Sequence, residues 1–387
     1  MNCNHDRKLL NVARGRPATQ SSISIWSKSH DAQGAVSGHK SGSFSFCTQE
    51  ESNATWSVDL LAIFAVRALK IFNRDDDYAH RASPLRIEIS EDGQGWKTIC
   101  TVEYVFGGVL SRTPLELRFK ESLQVRYVRL CRIGEKGYLH LDQVEVFVDP
   151  SDLRSKAQLQ QDLWVVQMTG GRTGAAFAEI GSTDGVHINN TYMLEKEFGW
   201  RGLCVEPNPE FYQALQKNRS AATFEFAVFA ESGKKLKFVP QGELGTLSGF
   251  EGSDFHAGSR ANFLASNQVI EVETISPSDL FERGGLPQVI DYLSLDTEGS
   301  ELAILEAIDF SRYMFGLITV EHNFVEDKRN RIYDKLKGIG YQRFSADFDD
   351  WYFHPETLNL LNGNVHVDFD LVCSEFATTY NFGREPR

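Results

Sequence analysis

The chain has 387 residues, of which 41% are hydrophobic and 24% charged, and its formal net charge at pH 7 is -13. A chain of this length accommodates about two or three domains, each with its own buried core. The acidic balance disfavours partners that present phosphate, such as nucleic acid or an acidic membrane surface, because phosphate contacts need a basic field.

The first residues, MNCNHDRKLLNVARGR, are polar and basic and lack the apolar run of a secretory signal. No stretch approaches the roughly 18 apolar residues of a membrane span. We therefore expect a cytoplasmic protein without a membrane span. The cysteines are scattered, without the spacing of a zinc site, so we expect mostly free thiols, with a bridge between Cys47 and Cys131 as the alternative.

Residues 8–149 consist of short runs in which apolar and polar residues alternate, such as ATWSVDL and VRYVRLC. Gly, Asp and Ser separate these runs, and no helix-period segment of useful length interrupts them. Alternation in short, regularly spaced runs is typical of two antiparallel sheets packed face to face. We expect an antiparallel β-sandwich here.

The charged loop IFNRDDDYAHR, at residues 71–81, follows one of these runs. One interpretation is a solvated cluster of surface salt bridges, which contributes little energy. The other is a pocket for a sugar, because Arg74 and Arg81 can donate to ring and hydroxyl oxygens while Asp76 holds an arginine in position. Asp75 and Asp77 are then expected to be solvated turn residues.

The pattern changes near Pro150. A Ser and Asp capping signal and leucines at helical spacing predict a linker helix over residues 150–162. From 163 to 355, apolar runs alternate with helical patterns, which indicates βαβ units and a parallel sheet. Residues 356–387 are a C-terminal extension, in which HVDFDLVCSEF suits either an added strand or a surface segment.

The segment FAEIGSTDG predicts a strand that ends at Ile180, followed by a glycine-centred turn. The next strand, GLCV, ends at Glu206, where a carboxylate can accept both hydrogen bonds of a ribose diol. The glycines are spaced G-x-x-x-G, and Glu179 and Asp184 are acids that would repel a pyrophosphate. This pattern favours S-adenosylmethionine over a nicotinamide cofactor, and a tight structural turn is the alternative.

Two later strands end in polar residues. Asp296 and Glu298 follow DYLSL, whereas Glu321 and His322 end GLITVEH. Because catalytic groups of such sheets come from strand carboxyl ends, we expect His322 to be a general base, and Asp296 or Glu298 either to orient it or to bind the acceptor hydroxyl. The same acids, Asp296 and Glu321 above all, are ligands that a divalent cation would accept, so mechanisms with and without a metal remain open.

Residues 163–355 resemble the FkbM-type family of S-adenosylmethionine-dependent O-methyltransferases, through EIGSTDG, GWRGLCVEPNP, DYLSLDTEGSE and VEHN in that order. The resemblance implies a Rossmann-like α/β class I methyltransferase fold and a cofactor site. The residues that it assigns to this site are Glu179, Gly181, Asp184, Gly185, Asn190, Tyr192, Glu206 and Asp296. Asn190 and Tyr192 would lie near the charged end of the cofactor.

The first domain resembles the discoidin-like, jelly-roll sandwich of coagulation-factor C-type modules, and within that group the F-type lectins. Arg74, Asp76 and Arg81 fit the R-x-D-x4-R pattern of these fucose-binding proteins. The family also carries an upstream histidine, and Gln49 is the residue that we expect in its place. A structural calcium ion near Asp31 and Glu145 is a further implication.

Together these features predict an O-methyltransferase that acts on a sugar hydroxyl, with a fucose-type carbohydrate-binding module that guides a glycan acceptor. One alternative is a lectin or adhesion protein whose methyltransferase fold is inactive. Another is an O-methyltransferase that acts on a lipid or polyketide hydroxyl.

Overall fold

The structure is a computed structural model that describes residues 9–27, 31–240, 242, 245–247, 269–363 and 365–382. The described chain forms two compact units, which divide between Arg154 and Ser155. Gly170–Thr173 groups with the first unit. Residue 8, where we expected the first domain to begin, lies outside the described residues, and the domain boundaries stay predictions.

The first unit is an antiparallel β-structure, which confirms the predicted fold class. In the described residues its main sheet has the order β1-β9-β4-β7-β5-β6, β2 pairs with β4, and β3 pairs separately with β8. The strands are β1 (Leu10–Asn11), β2 (Ala18–Gln20), β3 (Phe46–Cys47), β4 (Thr55–Phe72), β5 (Leu85–Ser90), β6 (Lys97–Val102), β7 (Leu115–Arg132), β8 (His140–Leu141) and β9 (Gln143–Val148).

The long strands β4 and β7 show why the alternating sequence folds in this way. Trp56, Val58 and Leu60 of β4 are each at most 1% exposed, and the residues between them are only partly buried. Side chains of a strand point alternately to its two faces, so this pattern buries one face completely. The charged loop of residues 71–81 begins where β4 ends.

The second unit contains a mixed α/β sheet of order β12-β11-β10-β17-β18-β20-β19. The pairs from β12 to β18 are parallel, and β20 is antiparallel to both of its neighbours. Strand order reverses between β10 and β17, the position where such sheets bind ligands. The strands are β10 (Ala176–Ile180), β11 (Arg201–Val205), β12 (Ala222–Phe224), β17 (Val289–Leu295), β18 (Met314–Glu321), β19 (Gln342–Ala346) and β20 (Asp349–Phe353).

Helices and a smaller sheet complete the described elements. The smaller sheet has the order β13-β16-β14-β15, from β13 (Ala227–Val228), β14 (Lys235–Val239), β15 (Thr246–Leu247) and β16 (Ile270–Ile275). The helices are α1 (Asp31–Gly34), α2 (Gln161–Met168), α3 (Tyr192–Phe198), α4 (Pro209–Asn218), α5 (Pro277–Arg283), α6 (Glu301–Ala307), α7 (Glu326–Lys337), α8 (Pro355–Asn362) and α9 (Phe369–Tyr380).

Two local predictions differ from the structure. The linker helix expected over 150–162 is a short 3-10 turn at Pro150–Asp152, and the helix itself begins only at Gln161. Within the C-terminal extension, HVDFDLVCSEF adds no strand; most of it lies in α9, which Asp368 caps by accepting a hydrogen bond from the Leu371 N–H. A local cap and the packing of Phe376 on Trp351 (5.9 Å between ring centroids) outweigh the alternating pattern.

The thiols of Cys47, Cys100, Cys131, Cys204 and Cys373 are free, so Cys47 and Cys131 form no bridge. None of the helices that the structure describes is long and apolar enough to cross a membrane. The cytoplasmic location stays a prediction.

Candidate functional site

A cavity of about 210 Å³ opens in the second unit at the carboxyl ends of the parallel strands. Its wall includes Gly181 after β10, Glu206 after β11, Asp296 after β17 and Glu321 at the end of β18. Four neighbouring strands thus deliver polar groups to one edge of the sheet, as parallel topology predicts. Apolar groups on the wall include Phe226 and Phe238.

Gly181 makes the first turn of this wall. Its φ is +87°, and a Cβ atom built on it would lie 1.6 Å from the carbonyl oxygen of Asp296. Only glycine fits such a close approach of two backbones. The Gly181 N–H donates to the carbonyl of Val205 (3.0 Å), which joins the turn to the neighbouring strand.

Glu206 is a buried acid on the cavity wall, 5% exposed. One carboxylate oxygen accepts from the Thr183 N–H (2.9 Å) and the other from the Asn208 N–H (2.8 Å). Burial raises the pKa of Glu206 to about 7, and the nearby charge of Asp296 adds to that rise, although the two N–H groups oppose it. Each carboxylate oxygen keeps a further lone pair that a hydroxyl group of a ligand can use.

Glu179, predicted to bind the cofactor, does not line the cavity. It is 2% exposed, and it accepts hydrogen bonds from Asn189, the Asn190 N–H and Thr191 at 2.8–2.9 Å. Arg219 lies 3.3 Å from its carboxylate. Side chains alternate between the two faces of a sheet, and Glu179 lies on the face away from the cavity. Its hydrogen bonds to residues 189–191 support the loop that follows Gly181.

Four other predicted cofactor residues also lie off the cavity wall, within the turn and its support. Asp184 accepts from the Val186 and His187 N–H groups and from the His187 ring. Asn190 donates to Ser294 (2.9 Å), and the Tyr192 N–H donates to Asn189 (2.8 Å). The last of the four, Gly185, has φ +79°. These residues shape the loop, whereas Gly181, Glu206 and Asp296 contribute to the wall.

Asp296, Glu298 and Glu321 form an acidic trio on the cavity wall, each offering an oxygen within 4.8 Å of the others. Asp296 is half-buried, and the other two are 7% and 6% exposed. Burial, together with the neighbouring Glu301 carboxylate, raises the pKa of Asp296 to about 7. Burial and the neighbouring acids also raise the pKa of Glu321 well above its usual range.

His322, expected to be the general base, is absent from the cavity wall. It is 1% exposed, its Nδ1 accepts from the Phe324 N–H (3.0 Å), and its Nε2 lies 3.8 Å from Asp350. Burial lowers its pKa to about 4. Glu321, the last residue of β18, lines the cavity, whereas the following His322 does not, so the structure does not place His322 where the predicted general base would act.

In the first unit, the two arginines of the charged loop at residues 71–81 make different side-chain contacts. The Arg74 guanidinium makes a forked ion pair with Asp76, as expected. Arg81 stacks on Tyr78 (4.3 Å from guanidinium carbon to ring centroid) and lies 5.5 Å from the Tyr138 ring. No hydrogen bond or ion pair found among the described residues uses the Arg81 guanidinium, so its donors are available to a ligand.

His140 is a residue of this site that the sequence analysis missed. It pairs across the β3–β8 ladder with Cys47 and is 1% exposed. Neither ring nitrogen has a hydrogen-bond partner among the described residues. Burial, reinforced by the positive charges of Arg74 and Arg81, lowers its pKa to about 3. His140 lies on β8, which contacts the short helical turn of residues 79–82 that carries Arg81, and no sequence spacing predicts that contact.

Three other expectations for this unit change. Gln49 is exposed, and its side chain donates to the Ile23 carbonyl (3.1 Å) instead of facing the arginines. Asp75 is no solvated turn residue, because it accepts from the N–H groups of Gly108 (2.6 Å) and Leu110 (2.7 Å). At the predicted calcium position, Glu145 pairs with the Lys40 ammonium at 2.6 Å.

Comparisons with known proteins match both units. Residues 179–361 match the family described as the methyltransferase FkbM domain, and residues 17–138 match the F5/8 type C domain. No curated protein matches the chain.

Solved structures of lectins match the first part of the chain. A fucolectin from striped bass serum (Morone saxatilis) is 29% identical over 36% of this chain, with a TM-score of 0.32. The chain spans 49% of the length of that protein. A fucose-binding module of Streptococcus pneumoniae is 28% identical over 38% of this chain and 98% of its own length, with a TM-score of 0.31. By these matches, a segment similar to the F5/8 type C domain precedes a segment similar to the methyltransferase FkbM domain.

Proposed function

We propose that the chain is an S-adenosylmethionine-dependent O-methyltransferase that methylates a sugar hydroxyl of a glycan, and that its first unit binds a fucose-type sugar of that glycan. The observation that carries the proposal is the cavity of the FkbM domain, in which the Gly181 turn, the buried Glu206 and an acidic trio meet.

The cavity has the chemistry that the cofactor needs. Glu206 supplies an acceptor for a ribose diol at the end of the second strand of the βαβ unit. The Gly181 turn leaves backbone close to the ligand, and Phe226 and Phe238 offer apolar contact for a purine. Asp296 and Glu321 suit the positive charge of a sulfonium and repel a pyrophosphate.

When bound, the cofactor would supply an electrophilic methyl group: a C–O bond forms to the acceptor oxygen, the C–S bond breaks, and the sulfonium becomes a neutral thioether. The hydroxyl proton needs an acceptor, and Asp296 replaces His322 in that role because it lines the cavity. A carboxylate whose pKa is about 7 is matched to proton transfer near neutrality. Most of the rate gain would come from alignment in a site that excludes water.

The first unit offers a matching site for a neutral sugar. Arg81 has available donors, His140 has two unpartnered ring nitrogens, and the exposed Tyr78 (47%) offers an aromatic face. A buried polar group without a partner costs free energy that a bound hydroxyl would recover. With Gln49 directed elsewhere, we propose that His140 replaces it as the third polar contact.

Linkage of the two units would raise the effective concentration of a glycan acceptor at the methyltransferase. An inactive lectin, and an enzyme for a lipid or polyketide hydroxyl, are the two competing functions.

The first test is calorimetric titration of the full chain with S-adenosylmethionine. We expect one site, weakened by Glu206→Gln and unchanged by Glu210→Gln, which removes an exposed carboxylate nearby. Absence of binding would favour the inactive lectin. Methyl transfer to a lipid hydroxyl and to none of a panel of glycans would favour the second competing function.

A further inference from the structure

The acidic trio of Asp296, Glu298 and Glu321 concentrates more negative charge than the described residues around it offset. Neither Asp296 nor Glu321 forms an ion pair with a described Lys, Arg or His. The nearby Lys328 is engaged by Glu301, at 3.0 Å from ammonium to carboxylate. A further buried acid, Asp349, is the ladder partner of Glu321 and is 4% exposed. Carboxylates crowded in this way repel one another unless a proton or a cation joins them.

Within the acidic trio, the Oε2 atom of Glu321 stands out by its surroundings. Glu321 is 6% exposed, lines the cavity, and its Oε2 has no hydrogen-bond partner among the described residues. A buried carboxylate oxygen normally accepts a hydrogen bond or coordinates a metal, because burial without either is costly. The unpartnered oxygen therefore points to a ligand that the described residues do not supply.

The backbone that carries the trio is also held in place. Glu301 accepts hydrogen bonds from the Thr297 N–H (2.9 Å) and the Gly299 N–H (3.0 Å). Thr297 and Gly299 are the residues on either side of Glu298. Glu298 itself has φ +56°, a conformation that non-glycine residues rarely adopt. Such conformations persist where the surroundings fix them, and they concentrate at ligand sites.

We propose that Asp296, Glu298 and Glu321 bind one hard divalent cation, of the Mg²⁺ or Mn²⁺ type, in the cavity of the second unit. The trio offers only oxygen ligands, and His322, which would suit a softer metal, turns away from it. All-oxygen sites with a few carboxylates select Mg²⁺, Mn²⁺ or Ca²⁺ over zinc and copper. Water and the acceptor would complete the coordination shell.

The role of this ion rests on the proposed function. An acceptor hydroxyl that coordinates a divalent cation loses its proton more readily, so the ion would lower the pKa of the sugar hydroxyl beside the reacting methyl group. With Asp296 as its ligand, the ion would take over the activation that the Asp296 carboxylate supplies when no ion is bound. The ion would also offset the charge of the trio and hold the acceptor oxygen in one position. Binding of the ion, in contrast, requires neither cofactor nor acceptor.

The test is titration of the full chain with Mn²⁺, read by the electron paramagnetic resonance signal of the free ion, without cofactor or glycan. We expect one site whose affinity falls about 10-fold or more in Glu321→Gln and in Asp296→Asn. Glu306→Gln, which removes a half-exposed carboxylate of the same unit, should leave that affinity unchanged. Mn²⁺ should also raise the melting temperature of the wild type and of neither trio variant.

Folding of the variants is read in chelator. Glu321→Gln should melt at or above the wild-type temperature there, because it removes repulsion between buried carboxylates. The proposal is overturned by absence of a Mn²⁺ site in the wild type, or by a site that both trio variants keep. A shared proton between Asp296 and Glu321 would then explain the cluster. Because S-adenosylmethionine binding is measured separately, in chelator, failure of the metal site and failure of the methyltransferase proposal give different results.

Discussion

The orientation of individual side chains determines which of the predicted residues line the two candidate sites. The sequence pattern predicts a strand that ends in Glu321 and His322; in the structure β18 ends at Glu321, which lines the cavity, and the following His322 does not. His140 was not predicted for another reason: it lies on the very short strand β8, and it is near Arg81 because β8 contacts the turn of residues 79–82. Short strands carry too little alternation to predict their partners.

At Glu206, the buried carboxylate predicts a pH-dependent affinity for S-adenosylmethionine. Its pKa of about 7 means that it loses its proton as the pH rises through neutrality, and the ionised form accepts ribose hydrogen bonds more strongly. Affinity should therefore rise between pH 6 and 8. Glu206→Gln should lower affinity by about 10- to 100-fold at pH 8 and flatten this profile. An unchanged profile in the variant would remove Glu206 from the cofactor site.

For the sugar site, His140→Leu separates a binding role from a structural one. The substitution removes two nitrogens for which the described residues offer no hydrogen-bond partner, so the free energy of unfolding should stay equal or rise. Affinity for fucose should fall about tenfold, the loss of one hydrogen bond to a hydroxyl. Gln49→Ala is the matched control, because that side chain faces Ile23. If isothermal titration showed a larger loss of fucose affinity in Gln49→Ala than in His140→Leu, the contact would belong to Gln49.

Secondary-structure elements were easier to predict from the sequence than the positions of single side chains. Alternation and helical periodicity predicted a β-sandwich followed by a parallel α/β sheet, because those patterns report burial directly. The predicted linker helix was wrong because the capping residues near Pro150 start only a 3-10 turn, Pro150–Asp152, whereas α2 begins at Gln161 without a side-chain cap. The buried support of the Gly181 turn could not be predicted either, since Arg219 reaches Glu179 and Glu195 from the end of another helix.

The contacts of Arg219 with Glu179 and Glu195 lead to a prediction about stability. Arg219 has a fully buried side chain that pairs with Glu195 (2.7 Å) and Glu179 (3.3 Å). Arg219→Met leaves the buried Glu179 carboxylate without its cation, whereas Glu195 keeps Lys196 at 2.8 Å, and we expect a cost of about 3–5 kcal/mol in the free energy of unfolding. Arg331→Met, at an exposed ion pair with Glu306, should cost about 0–1 kcal/mol. Equal midpoints of the two variants in chemical denaturation would argue against a supporting role for Arg219.

At the scale of the whole molecule, the proposal predicts how the two units cooperate. Arg81→Ala in the full chain should raise KM for a fucosylated glycan by about 100-fold at most, with kcat unchanged, because tethering changes occupancy and not the chemical step. Methylation of a small acceptor that lacks the fucose-type sugar should be unaffected. A fall in kcat for both acceptors would show that the first unit acts on the reaction itself.

The most direct test of the central claim is transfer of labelled methyl from S-adenosylmethionine, by the full chain, to fucosylated and related glycans in the presence of Mg²⁺. The account predicts incorporation at a sugar oxygen that falls strongly with Glu206→Gln and with Asp296→Asn and persists in His322→Gln, because His322 lies off the cavity wall. Absence of transfer to every glycan, with transfer to another class of hydroxyl, would contradict it.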